Sequence, residues 1–341
     1  MPPRKRLQHD TPKAYTKYLN SKLPTDAFRV SGVCVLFQTG DASLRRLVRA
    51  NWGSFEIPIS KARTVRAVFQ SPDRTPAALP RLKRWHSFIS KHLLFISDGK
   101  RYLLTGYLYD YPWQFHCRSL PDWDSEFIYY YLLEPILLDL LKKHGVLVWH
   151  GAAVARDGTA VILPGVSGSG KSTTTLNLLS AGYKFLADDM VLLRSRGSVV
   201  YAAGYESDLY LTEHSLKLLP EWKRFKRGGR LKKGTRWKHR IDLADFRPKR
   251  DKPSTVKYLL FPHVGKGLET RLEELTKPDA LLECLRQTPK EYPASILGPS
   301  VLQSQFEIYS SLVSSARCYK IHLGSDQNHV RAILSGLCNH D

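Results

Sequence analysis

The sequence is short of cysteine, of acidic residues and of long apolar runs, and each shortage excludes something. Its five cysteines, Cys34, Cys117, Cys284, Cys318 and Cys338, are odd in number and widely scattered, with no Cys-x-x-Cys pair. That argues against a disulfide framework and a cysteine-based zinc site, and it suits a reducing compartment. No apolar stretch reaches the ~18 residues that a membrane span requires. The opening Met1-Pro-Pro-Arg-Lys-Arg6 leads into polar sequence without an apolar core, unlike a secretory signal, and Asp10 with the lack of an amphipathic pattern weighs against a transit peptide. A cytoplasmic protein with no membrane partner is expected. Asp and Glu total 31 against 52 Lys and Arg, a formal net charge of +21. Such a surplus concentrates anions near the surface: nucleotides, acidic peptides, nucleic acid or anionic lipid.

What remains is ordinary for a globular chain. Its 341 residues, 43% hydrophobic and 24% charged, allow one large core or two modest ones. Residues 1–25 read as a basic, mobile arm, residues 26–120 as a smaller β-rich domain, and residues 121–341 as an α/β domain. In the β-rich part, Val30–Phe37, Ser54–Ile59 and Arg101–Tyr109 carry Val, Ile, Tyr and Phe in short runs. The aromatic stretch Tyr107–Phe115 reads as core rather than as a binding surface. Asp122 to Ser125 offer caps for a helix over Glu126–Lys143, with apolar residues at helical spacing, a kink at Pro135 and an end at Gly145.

The character then changes. Val146–Val154 and Thr159–Leu163 read as apolar strands joined by a turn at Asp157-Gly158. The second strand runs into Gly165-Val-Ser-Gly-Ser-Gly170-Lys171-Ser172, and a helix over Lys171–Ser180 follows. Phe185–Ala187 reads as a strand leading into Asp188-Asp189, and Met190–Arg194 and Val199–Ala203 as further strands. Beyond a basic loop at 221–240, strands are expected at Val256–Phe261 and Tyr319–Leu323, and helices at Ala280–Leu285, Val301–Ser314 and Asn328–Leu337. Mixed strands and helices mark an α/β unit.

The segment from Gly165 to Ser172 satisfies the P-loop pattern in full. The chemistry explains the spacing. Backbone N–H groups must wrap around a phosphate, so the loop needs residues without a clashing Cβ, and Gly165, Gly168 and Gly170 supply three. The following helix aims its positive end at the anion. Lys171 can bridge β- and γ-oxygens, and the Ser172 hydroxyl can ligate Mg²⁺. The four fixed positions recur by chance on the order of 0.01 times in a chain of this length, and the flanking strand and helix are both predicted. The nucleotide-binding set is Gly165, Ser167, Gly168, Ser169, Gly170, Lys171, Ser172 and Thr173, and ATP with Mg²⁺ is the expected ligand.

Asp188 and Asp189 follow only 17 and 18 positions after Lys171. Two adjacent carboxylates repel unless a cation holds them ionised. One can ligate metal, and the other can take a proton from an attacking hydroxyl. His150 stands in the strand before the loop's own strand, 21 positions ahead of Lys171. A lone histidine there is often a core residue. A hairpin can also bring it to the γ-phosphate.

At these residues the sequence resembles the HPr kinase family, bacterial serine kinases with a PEP-carboxykinase-like P-loop domain. His150-Gly151, the hairpin, Gly165–Ser172 and Leu186-Ala187-Asp188-Asp189 carry the resemblance, which covers about residues 130–210 well. It implies an ATP-dependent serine kinase domain preceded by a smaller β-rich domain. Asp189 would accept the proton of the substrate serine, Ser172 and Asp188 would hold Mg²⁺, and His150 and Lys171 would act at the γ-phosphate. The family's metal-binding glutamate has no clear counterpart; Glu206 or Glu213 would have to serve. The N-terminal 120 residues do not match the family. The divergent HPr-kinase-related proteins it resembles include kinases of ribosomal peptides such as lasso-peptide precursors. The implied partner is a protein or peptide with an acceptor serine, and HPr kinases are oligomers.

Between Lys223 and Arg240 lie ten basic residues and no acidic one. In the family a basic residue near here contacts the transferring phosphate, which makes Lys238 or Arg240 the candidate. The rest reads as a lid or a clamp for an acidic substrate. The rival reading is nucleic acid, with cations on phosphates and Trp222, Phe225 and Trp237 on bases, which would make the chain a nucleic-acid-associated P-loop ATPase.

Overall fold

The computed structural model describes residues 23–62, 65–71, 85–90, 93–98, 102–107, 113–117, 129, 133–205, 208–233, 236–246, 253–265, 267–287 and 299–337. The chain falls into two compact units, one running to His144, the other from Gly145 to Tyr292 and again from Leu302. Of the expected basic arm, residues 1–22 lie outside the described residues.

In the first unit a tight turn decides the start. Ser31 and Gly32 both take positive φ, 46° and 87°, the conformation that a two-residue hairpin needs. The run expected as one strand over Val30–Phe37 is therefore a hairpin of β1 (Thr25–Val30) and β2 (Val33–Thr39). Asp41 then caps a helix the sequence reading did not anticipate, α1 (Ala42–Trp52), by accepting from the N–H groups of Ser43 and Leu44 at 2.9 and 3.0 Å. Of the expected strand Ser54–Ile59 only β3 (Glu56–Ile57) forms, between two short 3₁₀ turns. With β4 (Val65–Ser71), β5 (Trp85–Ser90), β6 (Leu93–Asp98), β7 (Tyr102–Tyr107) and β8 (Trp113–Cys117), the sheet order is β3-β1-β2-β4-β8-β7-β6-β5.

Trp52, fully buried, is the hub of this unit's core. Its ring meets Phe28 edge-on at 5.4 Å, Phe69 at 6.2 Å and Tyr129 at 6.0 Å. Phe115 stacks on Phe69 at 4.9 Å, so that end of the aromatic stretch is core. The carboxylate of Asp26, also buried, accepts two bonds from Arg45 at 2.7 Å and one from Arg49 at 2.8 Å, which offsets its desolvation. Helix α2 runs over Glu134–Lys143; of the stretch expected to precede it, residues 126–128 and 130–132 lie outside the described residues. Pro135 sits in its first turn, where the missing N–H costs little; the residues that would show the expected kink lie mostly outside the described residues. Gly145, at φ 74°, ends it.

The second unit is built on β9 (Val146–Arg156) and β10 (Thr159–Pro164), whose turn has positive φ at Asp157 and Gly158. Helix α3 (Lys171–Ser180) follows the loop. β11 (Lys184–Ala187), β12 (Met190–Arg196), β13 (Val199–Gly204), β17 (Ser254–Val264), β18 (Arg271–Glu274) and β19 (Arg317–Leu323) complete a sheet ordered β10-β9-β12-β13-β17-β19-β18, with β11 also on β9. β10 pairs in addition with β17, parallel, so five strands close on themselves. Both faces are buried. Ala152, Val154, Val161, Leu163, Tyr258 and Leu260 belong to one apolar cluster, while Leu147, Trp149, Ala153, Ile162, Leu259 and Phe261 belong to another. This two-sided burial explains why these strands read as continuous apolar runs rather than alternating ones. Helices α5 (Lys277–Arg286), α6 (Pro299–Ser315) and α7 (Gln327–Gly336) fall where the periodicity placed them.

The expected basic loop is not a loop. After β14 (Leu209–Thr212), the short helix α4 (Glu213–Leu218) and a 3₁₀ turn at Pro220–Phe225, it forms β15 (Lys226–Lys233) and β16 (Arg236–Ile241). These make a three-stranded sheet in the order β14-β16-β15. Gly228 and Gly229 sit where the register slips between Arg227 and Arg230, a bulge that absorbs residues a regular strand would reject.

Trp52→Ala should lower the stability of the first unit by about 3–5 kcal/mol, the range for emptying a large buried aromatic site. Urea unfolding followed by circular dichroism checks it; Trp52→Phe should cost less than half as much.

Candidate functional site

The second unit holds a cavity of about 630 Å³, and the phosphate loop forms its floor. β10 leads straight into Gly165, and α3 starts at Lys171. The N-cap, Gly170, has φ 107°, and a Cβ there would collide with the Leu323 side chain and come within 3.0 Å of Val264 Cγ2. Only glycine fits that corner. Gly168, Ser167, Lys171, Ser172 and Thr173 line the cavity. The Lys171 ammonium is buried and donates to the carbonyls of Gly165 and Val166, the latter at 3.1 Å. Burial lowers its pKa, and the charges of Asp188 and Asp189 work against that.

The acidic pair stands at an irregularity in the sheet. β11 and β12 both run antiparallel to β9, with Ala187 opposite Ala153 and Met190 opposite His150. Asp188 and Asp189 fill the gap between them, and the Asp189 carbonyl accepts from the Gly151 N–H at 3.1 Å. Gly151 keeps this approach close, since a Cβ would lie 3.0 Å from the Leu163 carbonyl oxygen and 3.3 Å from Pro164 Cα, and the neighbouring strand would have to shift. This contact brings His150, Asp189 and the start of the loop to one place, and His150 and Asp189 both line the cavity.

The two carboxylates face different surroundings. Asp189 is half-buried at the cavity wall, whereas Asp188 is 2% exposed and accepts from the Tyr210 N–H at 3.5 Å. Burial first, then the charge of Asp189, pushes the Asp188 carboxyl up to about 7, while Lys238 and Lys171 pull the other way. Lys238 belongs to β16, opposite Thr212 of β14, and lines the cavity. Arg240, the other basic candidate, instead pairs with Asp208 at 3.0 Å and is not among the cavity's lining residues. Of the two glutamates, Glu206 lies outside the described residues. Glu213 is on the cavity wall, bonded to His239 Nε2 at 2.8 Å and 3.8 Å from Lys226 Nζ.

Several wall residues have no local signal in the sequence. Arg236 reaches the loop, since a Cβ on Gly168 would lie 3.7 Å from its Nη2. Tyr210, Trp237 and Gln327 also line the cavity, and Gln327 Oε1 accepts from Asn177 of α3 at 3.0 Å. They come from β14, β16 and the start of α7, elements far from the loop in sequence that line the same cavity.

The residues fit a phosphate and a divalent cation. The Ser169 hydroxyl is buried with no partner in the protein, and the Asp188 carboxyl is pushed up first by burial and then by its like-charged neighbour, a repulsion that an added cation would relieve. Among the described residues no three His, Cys, Asp or Glu side chains converge on one point. Mg²⁺ needs only one or two carboxylates when phosphate oxygens and water complete its shell.

No family profile matches the chain. An HPr kinase/phosphorylase of Chlorobium limicola is 34% identical over 79 residues, 23% of this chain and 23% of that protein. One of Leptospira biflexa is 45% identical over 60 residues, 18% of each. This chain thus matches less than a quarter of the length of these relatives. Among solved structures, the Hpr(Ser) kinase/phosphatase of Coxiella burnetii aligns with 57% of this chain and 95% of its own at 15% identity, with a TM-score of 0.27. No helix among the described residues is long and apolar enough to cross a membrane. The repeated curated matches make a segment of this chain HPr-kinase-like, and the glycine loop shares its cavity with Asp189 and His150.

Proposed function

We propose that this protein is an ATP-dependent kinase that transfers the γ-phosphoryl group to a serine hydroxyl of a protein or ribosomal peptide. The observation that carries this reading is the position of Asp189: a half-buried carboxylate lining the same cavity as Lys171 and Ser172 of the phosphate loop. The curated matches support the reaction class.

In this reading the loop N–H groups and the start of α3 hold the β-phosphate. Lys171 turns from the carbonyls of Gly165 and Val166 to the β- and γ-oxygens. Asp189 accepts the proton of the serine hydroxyl as the serine oxygen attacks the γ-phosphorus and the bond to the β,γ-bridging oxygen breaks, releasing ADP. Lys238 and His150 place positive or hydrogen-bonding groups at the transferring phosphoryl group, where charge spreads in the transition state. Ser172 and Asp188 would hold Mg²⁺, which supplies charge neutralisation on the phosphate oxygens. A lasso-peptide precursor is one acceptor of the proposed kind.

Two outcomes follow. Asp189→Asn should cut transfer to a serine peptide by roughly 10²–10⁴-fold, the span of a general base, with nucleotide affinity changed only a few-fold; Lys171→Ala should weaken nucleotide affinity itself. Labelled ATP and calorimetry separate the two. Hydrolysis stimulated by nucleic acid, without transfer to any serine peptide, would overturn the proposal.

The second outcome concerns pH. The Asp188 carboxyl titrates near 7 in the folded protein but near 3.9 when unfolded. Between those values the folded state holds a proton that the unfolded state has lost. Stability contributed by that proton is full below about pH 4 and is lost as pH rises through 7. Asp188→Asn should flatten that part of the stability profile, measured by thermal unfolding of the ligand-free protein from pH 4.5 to 8.

A further inference from the structure

The basic hairpin is larger than the cavity needs. Lys238 lines the cavity and Arg236 lies against Gly168, yet Arg227 and Arg230 of β15 are exposed and are not among the cavity's lining residues. Arg227 is 67% exposed and stands 4.0 Å from Asp242, too far for a tight pair. Arg230 lies over the Trp237 ring at 5.9 Å, and Trp237 and Leu231 are 58% and 47% exposed. So much like charge on one small sheet costs stability through self-repulsion, and an anionic partner would offset that cost.

β15 is also an edge. Among the described strands it pairs only with β16. The outer backbone of such a strand offers alternating N–H and C=O groups to another extended chain. A peptide meets both features at once, main chain to the edge and carboxylates to the arginines. A nucleic acid meets only the charge and the exposed tryptophan. The edge also points to the reaction site, because Lys233 of β15 pairs with Arg236, which lies against Gly168 of the phosphate loop.

We propose that β15 docks an extended, acidic segment of the acceptor protein or peptide and so selects which serine reaches Asp189. The inference rests on the kinase reading and adds the chemistry of the substrate to it.

Binding is measured on the Asp189→Asn protein, so it does not depend on transfer. Fluorescent serine peptides, identical except for acidic, neutral or basic flanks, are titrated by anisotropy with Mg²⁺ and a non-hydrolysable ATP analogue present. The acidic peptide should bind at least about tenfold more tightly than the neutral one, a preference of ~1.4 kcal/mol. Arg227→Glu combined with Arg230→Glu should remove the preference while leaving affinity for the nucleotide analogue unchanged, which shows that the fold is intact. N-methylating alternate backbone nitrogens of the acidic peptide should weaken it by a similar factor. Equal binding of acidic and neutral peptides would overturn the proposal, as would a preference that survives charge reversal or full binding of the N-methylated peptide. Tighter binding of a single-stranded oligonucleotide that displaces the acidic peptide would overturn it as well. Loss of phosphorylation in the wild type with acidic-peptide binding intact would sink the kinase reading alone; phosphorylation without a charge preference would sink only this one.

Discussion

Asp188 is a carboxylate with almost no access to water, packed beside a second carboxylate and near the buried ammonium of Lys171. Burial alone would drive the acid to its neutral form and the lysine toward its neutral form. Each restrains the other, and Lys238 joins from a separate strand. Such a cluster is costly unless every member has a partner. Much of the local structure reads as the means of assembling it: a sheet irregularity that turns two adjacent aspartates to different surroundings, a glycine loop that brings the lysine back over its own carbonyls, and a strand that delivers the third charge.

The sheet beneath makes that cluster precise. β9 and β10 are buried on both faces, and the chain closes on itself through β17. Rigid strands therefore hold His150, the acidic pair and the entrance of the phosphate loop, while the start of α3, α4 and the start of α7 supply further cavity wall. Gly151 shows how tight the arrangement is, since even a methyl group would press on the neighbouring strand. The basic hairpin obeys a different logic. Its Ile241 is anchored in the core with Trp222, Leu209 and Leu211, while most of its charges stay in solvent, where they cost little and remain available to a partner.

How much was legible from sequence depended on how local each signal was. The phosphate loop, its flanking strand and helix, the Asp157-Gly158 hairpin and the end at Gly145 rest on contacts within a few residues, and they stand where the pattern placed them. Helix α1 was obscured by its three arginines, Arg45, Arg46 and Arg49, although Asp41 was a visible cap. The hairpin at Ser31-Gly32 was hidden because apolar residues on both sides merged into one run. The basic hairpin was hidden by charge and by Gly228-Gly229, which read as flexibility and prove to be a bulge.

By itself the sequence determined the chemistry on offer: a glycine loop with the phosphate-binding pattern, two carboxylates within reach along the chain, and an excess of cations. Spacing in the chain can settle these because glycine freedom, helix start and strand end are short-range properties. Tertiary structure alone decided which cations meet that chemistry. Lys238 rather than Arg240 lines the cavity, Arg236 covers the loop, and Asp208 takes Arg240 out of play. The physical reason is that strand register alternates side chains between two faces, and register is set by partners far away in the sequence.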